Sequence, residues 1–288
     1  MTALAARLAA AGILASPCAA LPAWAAEADS GGAFESRYDI TLMGMQVGVA
    51  QLKASVAGDR YKVELWTRLT GLAGVMTGGK GAASSSGTVA GAMVRPAKFA
   101  VTTASGDRSV SVRMALADGA VRALKVSPPI PERKQRIPLR EGDMRDIVDP
   151  VSALLMPVAG SVAAGDPAAC NRTLPLFDGS ARFDVPLSFV RAQKINGRAY
   201  AGTIAICSGR YKPISGHVPG RPDTDFMENN RDIEVWLAPA VEGRLFLPYR
   251  ISVRSPLGLV VIEATRFPGG LPDTAPQRTP GPALRASN

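Results

Sequence analysis

Apolar and polar side chains alternate with a period of two along most of this chain, and turn residues punctuate the alternation. In residues 61–70, Val63, Leu65, Thr67 and Leu69 fall on one face of a predicted strand, with Lys62, Glu64, Trp66 and Arg68 on the other. Gly58-Asp59 joins it to residues 47–56 as a hairpin. A first strand is predicted at 37–43, and the Ser84-Ser85-Ser86 run leads into another. A meander follows at 94–103, 109–116 and 121–126, with Asp118-Gly119 as its last turn. Later strands are predicted at 173–177, 182–192, 198–212, 231–238, 244–254 and 259–267.

Pro128, Pro129, Pro131 and Pro138 mark an irregular crossing between the two halves, which ends at the one main helix the pattern supports. Asp149 suits its N-cap and Pro150 its first turn. Val151, Leu154, Leu155 and Val158 then share a face until Pro157 and Gly160 stop it, so this helix is expected to plug or cover an apolar opening. Residues 71–81 place Leu72, Val75 and Met76 at helical spacing among five glycines, which reads as a short turn of helix or a mobile flap. The fold class is therefore all-β: a curved antiparallel sheet, open barrel or β-spiral of about a dozen strands with one short central helix. Residues 26–267 form a single domain, since no gap inside them looks like a linker, and the Pro-rich residues 268–288 are expected to be a disordered tail.

The amino terminus changes the picture. Arg7 precedes an apolar stretch over residues 8–24, followed by Ala23-Trp24-Ala25 with small residues at the positions a signal peptidase reads. Residues 1–25 are thus a signal peptide cleaved before Ala26, and the remainder is addressed to the periplasm. Gly12, Pro17 and Pro22 argue against a membrane span, and Pro17 before Cys18 is a poor fit to a lipoprotein box. Losing Arg7 from 33 basic residues leaves 32 against 24 acidic, a formal charge of +8. That excess suits anionic lipid, lipopolysaccharide, a cell-wall polymer or an envelope protein. Arg133, Lys134 and Arg136 form the densest basic group but lack interleaved aromatics, so no nucleic-acid partner is expected. Removing Cys18 leaves Cys170 and Cys207, an even pair in an oxidising compartment, expected to bond and to stabilise the fold by roughly 4 kcal/mol through loop closure.

Candidate chemistry is thin. Gly74, Gly79 and Lys80 sit at the spacing of a phosphate loop, but Gly81 stands where a magnesium-binding Ser or Thr is needed. His217 is the lone histidine, so it cannot join a multi-histidine metal site. Asp223, Asp225, Glu228 and Asp232 form the best carboxylate cluster, at a spacing unlike any EF-hand loop. No cofactor is expected, and no residue is nominated as catalytic or metal-binding.

Five segments fall in a familiar order: Asp149-Pro150-Val151-Ser152-Ala153-Leu154-Leu155, Leu176-Phe177-Asp178-Gly179, Arg182-Phe183-Asp184, Glu234-Val235-Trp236-Leu237 and Pro248-Tyr249-Arg250-Ile251. Together they resemble the domain-of-unknown-function family 3108, exported proteins of Gram-negative bacteria. The resemblance implies a secreted β-rich fold and carries no reaction to particular residues. On architecture and compartment alone, the chain is also distantly similar to periplasmic β-spiral envelope-integrity proteins and to curved-sheet carriers of lipoproteins.

The reading is a noncatalytic periplasmic envelope protein, either structural or binding a lipid, peptide or envelope polymer. Trp66, Trp236, Phe246 and Tyr249 are the candidate lining of an apolar cavity for an acyl chain or peptide, and they equally suit an ordinary core. The alternative is a periplasmic hydrolase acting on cell-wall or lipid material, in which His217 or the 223–232 carboxylates meet a nucleophile.

Overall fold

The computed structural model describes residues 32–70, 79–241 and 243–269. The predicted signal peptide, residues 71–78 of the glycine-rich stretch and nearly all of the predicted tail lie outside them.

Alternating burial organises the described residues into fifteen strands: β1 (Gly32–Leu42), β2 (Met45–Ala57), β3 (Arg60–Leu69), β4 (Lys80–Ala90), β5 (Met93–Ser105), β6 (Arg108–Ala117), β7 (Ala120–Ser127), β8 (Met156–Pro157), β9 (Arg172–Phe177), β10 (Arg182–Asn196), β11 (Ala201–Gly209), β12 (Lys212–Ser215), β13 (Ile233–Val241), β14 (Leu245–Ser255) and β15 (Gly258–Arg266). All pair antiparallel in one sheet, ordered β10-β11-β13-β14-β15-β1-β2-β3-β4-β5-β6-β7. β12 continues the ladder of β11 along β10, β9 also pairs β10, and β8 pairs the start of β14. The turns follow the residues that allow them: Asp118 and Gly119 both take positive φ, at 52° and 70°, as the tight turn between β6 and β7 requires.

The strands do not close into a barrel. Residues 145–148 instead reach from one end of the sheet to the other. Arg145 bridges Ala120 of β7, and Val148 bridges Leu176 of β9. The Val148 amide donates to Pro175 O at 2.8 Å, and its carbonyl accepts from the Phe177 amide at 3.1 Å. The turn after β9 also packs against β6, because Gly179, at φ 94°, leaves room where a Cβ would strike Val112.

Two cores result. Tyr38, Leu52, Val63, Phe99, Met114, Ile204, Ile206 and Leu247 share the inner face of the sheet, packed with Ile147, Val151 and Leu155. The opposite face of β11, β13 and β14 is covered by residues 156–174: Met156, Val158, Ala169 and Cys170 pack on Ala205, Cys207, Val235, Leu237 and Phe246. β11 alternates between the two, which is why it is apolar almost throughout. The Cys170–Cys207 disulfide, with Cα atoms 5.4 Å apart, ties the covering segment to β11.

The helix predicted at 151–158 is corrected by the structure. Asp149 holds the turn that leads in, its Oδ1 accepting from the amides of Val151 and Ser152 at 3.0 and 2.9 Å, but the N-cap position of the helix that follows is Val151, without a side-chain cap. The turn nevertheless ends as a three-residue 3-10 helix, Ser152–Leu154, with Leu155 extended. Pro157 disfavours a helical Met156, and pairing with β14 satisfies that stretch as β8. The segment is buried on several sides rather than along one stripe, so helical spacing was a coincidence of a fully buried chain. An α-helix, α1 (Pro222–Asn229), forms instead within the carboxylate cluster. Pro222 opens it, and Asp223 and Asp225 favour its N-terminal dipole, but it buries no residue and so has no apolar period to read. The strand predicted at 198–212 is divided, with Arg210 and Tyr211 separating β11 from β12.

Candidate functional site

Among the described residues nothing packs over the outer face of β3–β7, whose side chains are half-buried or exposed. The ladder registers set two rows of side chains across it: Lys62, Ser86, Lys98, Ala115 and Ala123 in one, and Glu64, Ser84, Ala100, Arg113 and Lys125 in the next. Small side chains at the middle of the rows, with long basic ones around them, leave an open, mostly apolar-walled trough of about 580 Å³. Among the described residues its lining holds four cations and no carboxylate. Lys62 is paired with Glu64 at 2.6 Å. Among the described residues no carboxylate pairs with Lys98, Arg113 or Lys125. Arg113 and Lys125 face each other directly across the β6–β7 ladder, where like charges repel.

The four aromatic residues singled out as cavity lining are not brought together. Trp66 lies on the outer face of β3, 38% exposed, with the Lys53 ammonium 5.7 Å from its ring centre. Trp236 is half-buried under the Arg250 guanidinium, 4.9 Å from its ring, and that guanidinium also bonds Glu263. Phe246 is fully buried in the outer core. Tyr249 is buried on the inner side, with ring centres 6.3 Å from Tyr200 and 6.0 Å from Phe267.

The other polar candidates are dispersed. Asp223 pairs with Arg221 at 3.1 Å, and Asp232 with Arg254 at 2.5 Å across a separate shallow hollow. Asp225 and Glu228 ride on the solvent side of α1, which buries none of its residues. His217 Nδ1 is buried with no hydrogen-bond partner among the described residues, and the His217 carbonyl accepts from Ile137 N at 2.9 Å. Gly79, Lys80 and Gly81 lead into β4 rather than a helix, while Gly74 is outside the described residues.

One polar cluster escaped the sequence reading. Asp149 is fully buried, and its Oδ2 accepts from Ser85 Oγ at 2.8 Å and Ser152 Oγ at 2.6 Å. Tyr61 OH lies 2.7 Å from Ser152 Oγ. Burial pushes the Asp149 carboxyl above the usual range despite these donors, and pushes the Tyr61 phenol to about 12. With both carboxylate oxygens satisfied, this cluster fastens the 147–155 segment to β3 and β4. Asp149 was visible as a predicted cap, and the serine run around Ser85 was its only other signal.

The familiar segments likewise serve the fold. Asp178 Oδ1 holds its turn through the Ser180 and Ala181 amides at 2.7 and 2.8 Å, and Pro248 O accepts from Tyr38 OH at 3.0 Å.

A family model described as "Protein of unknown function (DUF3108)" matches residues 37–265. Among solved structures, the chain is similar to a beta-barrel-like protein of domain of unknown function DUF1849 from Brucella abortus, with 11% identity, a TM-score of 0.48, and coverage of 84% of this chain and 98% of that one. No curated protein matches.

Proposed function

We propose that this chain, which belongs to the DUF3108 family, is a noncatalytic periplasmic module that binds an anionic component of the cell envelope on the outer face of β3–β7. The observation that carries this reading is the trough itself: apolar walls with Lys98, Arg113 and Lys125 around it and no carboxylate among its lining residues. Charges of one sign held together without partners raise the local concentration of an opposite charge. The inner face offers less, because the 147–155 segment packs into it and Asp149 is already satisfied there.

The address is supported by Arg7, the apolar residues 8–24 and Ala23-Trp24-Ala25, which read as a signal cleaved before Ala26. A Cys170–Cys207 disulfide suits an oxidising compartment. Absence of a long apolar helix among the described residues is compatible with a module that meets the envelope by surface contact.

The test is to express the full chain in a Gram-negative host, fractionate the cells, and analyse the purified protein by native mass spectrometry. The expected result is a periplasmic protein starting at Ala26 that carries a bound envelope component. A cytoplasmic, full-length and empty protein would overturn the reading.

A further inference from the structure

Resting on that reading, we infer that the trough on β3–β7 takes an anionic phospholipid, with the phosphate held between Arg113 and Lys125 and the hydrocarbon laid along Ala100, Ala115 and Ala123. The charge arrangement selects the head. Arg113 and Lys125 are cross-strand partners with Lys98 on the neighbouring row, an arrangement that repels itself until an anion sits among them. A guanidinium and an ammonium together offer a phosphate forked and point-like hydrogen bonds.

The rest of the surface selects the tail. A trough of about 580 Å³ is far larger than a phosphate requires and falls within the range of small-molecule sites. Its wall carries the methyl groups of Ala100, Ala115 and Ala123 beside Ser84 and Ser86 on β4, and long basic side chains such as Lys98 and Lys125 can add their methylene stems to such a surface. A peptide laid along Ala100, Ala115 and Ala123 would leave most of its backbone amides and carbonyls against methyl groups, with Ser84 and Ser86 as hydroxyl partners only at the β4 side. A polysaccharide or single-stranded nucleic acid would need an exposed ring to stack on. The one aromatic residue of the lining, Phe99, is 4% exposed and belongs to the inner core.

The measurement is a titration of the disulfide-bonded mature chain, below micellar concentrations, with lysophosphatidylglycerol, lysophosphatidylcholine and inorganic phosphate, followed by calorimetry. The anionic lipid should bind about tenfold or more tightly than the zwitterionic one, and phosphate alone about a hundredfold more weakly. The double variant Arg113→Glu/Lys125→Glu should lose at least about tenfold in affinity for the anionic lipid. Ala123→Glu, which sets a carboxylate in the path of the hydrocarbon, should lose a similar factor. Lys194→Glu/Arg198→Glu, an equal change of charge at exposed positions at the end of β10 and in the turn after it, outside the trough lining and at the other end of the strand order, should stay within about twofold.

Equal binding by the Arg113/Lys125 variant and the unaltered chain would overturn the site. Phosphate binding as tightly as the lipid would overturn the occupant. A chain that takes neither lipid yet leaves the periplasm carrying another envelope component would end this inference and keep the reading beneath it. A chain that is empty in both experiments would end both.

Discussion

Ser85 Oγ donates to Asp149 Oδ2 at 2.8 Å in the buried interior, joining the middle of β4 to a residue 64 positions later. Through Ser152 the same carboxylate reaches Tyr61 on β3, so one acid anchors the segment that spans the two ends of the sheet.

Asp149→Ala should therefore destabilise the fold by about 2–5 kcal/mol, because it leaves the Val151 and Ser152 amides without their acceptor in a buried site and forces the Ser85 and Ser152 hydroxyls to turn to Lys98 O and to each other. Asp149→Asn keeps an acceptor for the amides and should cost less. Urea unfolding of both variants gives the comparison.

The pH dependence follows from the same residue. Burial raises the Asp149 carboxyl in the folded state above its unfolded value of 3.8. Its contribution to stability is present in full below the unfolded value and is lost as the pH rises through the folded one. The stability of the unaltered chain relative to Asp149→Asn should thus fall as pH increases from about 4, then level off. A difference that grows with pH would show that hydrogen bonding, rather than burial, governs this carboxyl.

Reduction of Cys170–Cys207, or its replacement by two alanines, should cost roughly 4 kcal/mol on the loop-closure estimate. Hydrogen exchange should lose protection first in residues 156–174 and β11, which the bond joins, and last in β2 and β3. Uniform loss across the sheet would show that the covering segment and the β1–β7 half unfold as one unit.

Phe246→Ala should cost about 3–5 kcal/mol, since the ring is fully buried in the outer core. Trp66→Ala should cost about 1 kcal/mol or less, since the ring is exposed on the outer face with the Lys53 ammonium over it. Thermal unfolding of the two variants separates a packed residue from a surface one.

The architecture was legible wherever a strand has one wet face. Val63 and Lys62 fall on the predicted sides, and Gly58-Asp59 and Asp118-Gly119 turn where expected. The bonded cysteines followed from the even pair left once Cys18 is assigned to the predicted signal peptide. Legibility failed where burial has no period, as at 151–158, or where an element buries nothing, as in α1. The trough was unreadable for a different reason. Lys98, Arg113 and Lys125 belong to three strands, and only the registers of two ladders make them neighbours.

β1 lies between β2 and β15, with Tyr38 opposite Ala50 on one side and Ala264 on the other. The first strand of the sheet thus waits for the last. As the chain is delivered from its amino terminus, β1 can zip to β2 at once, yet its other edge stays open until almost everything else has arrived. The β2–β7 meander can form from neighbouring strands alone, whereas the sheet as a whole is completed only once β15 is available to pair β1.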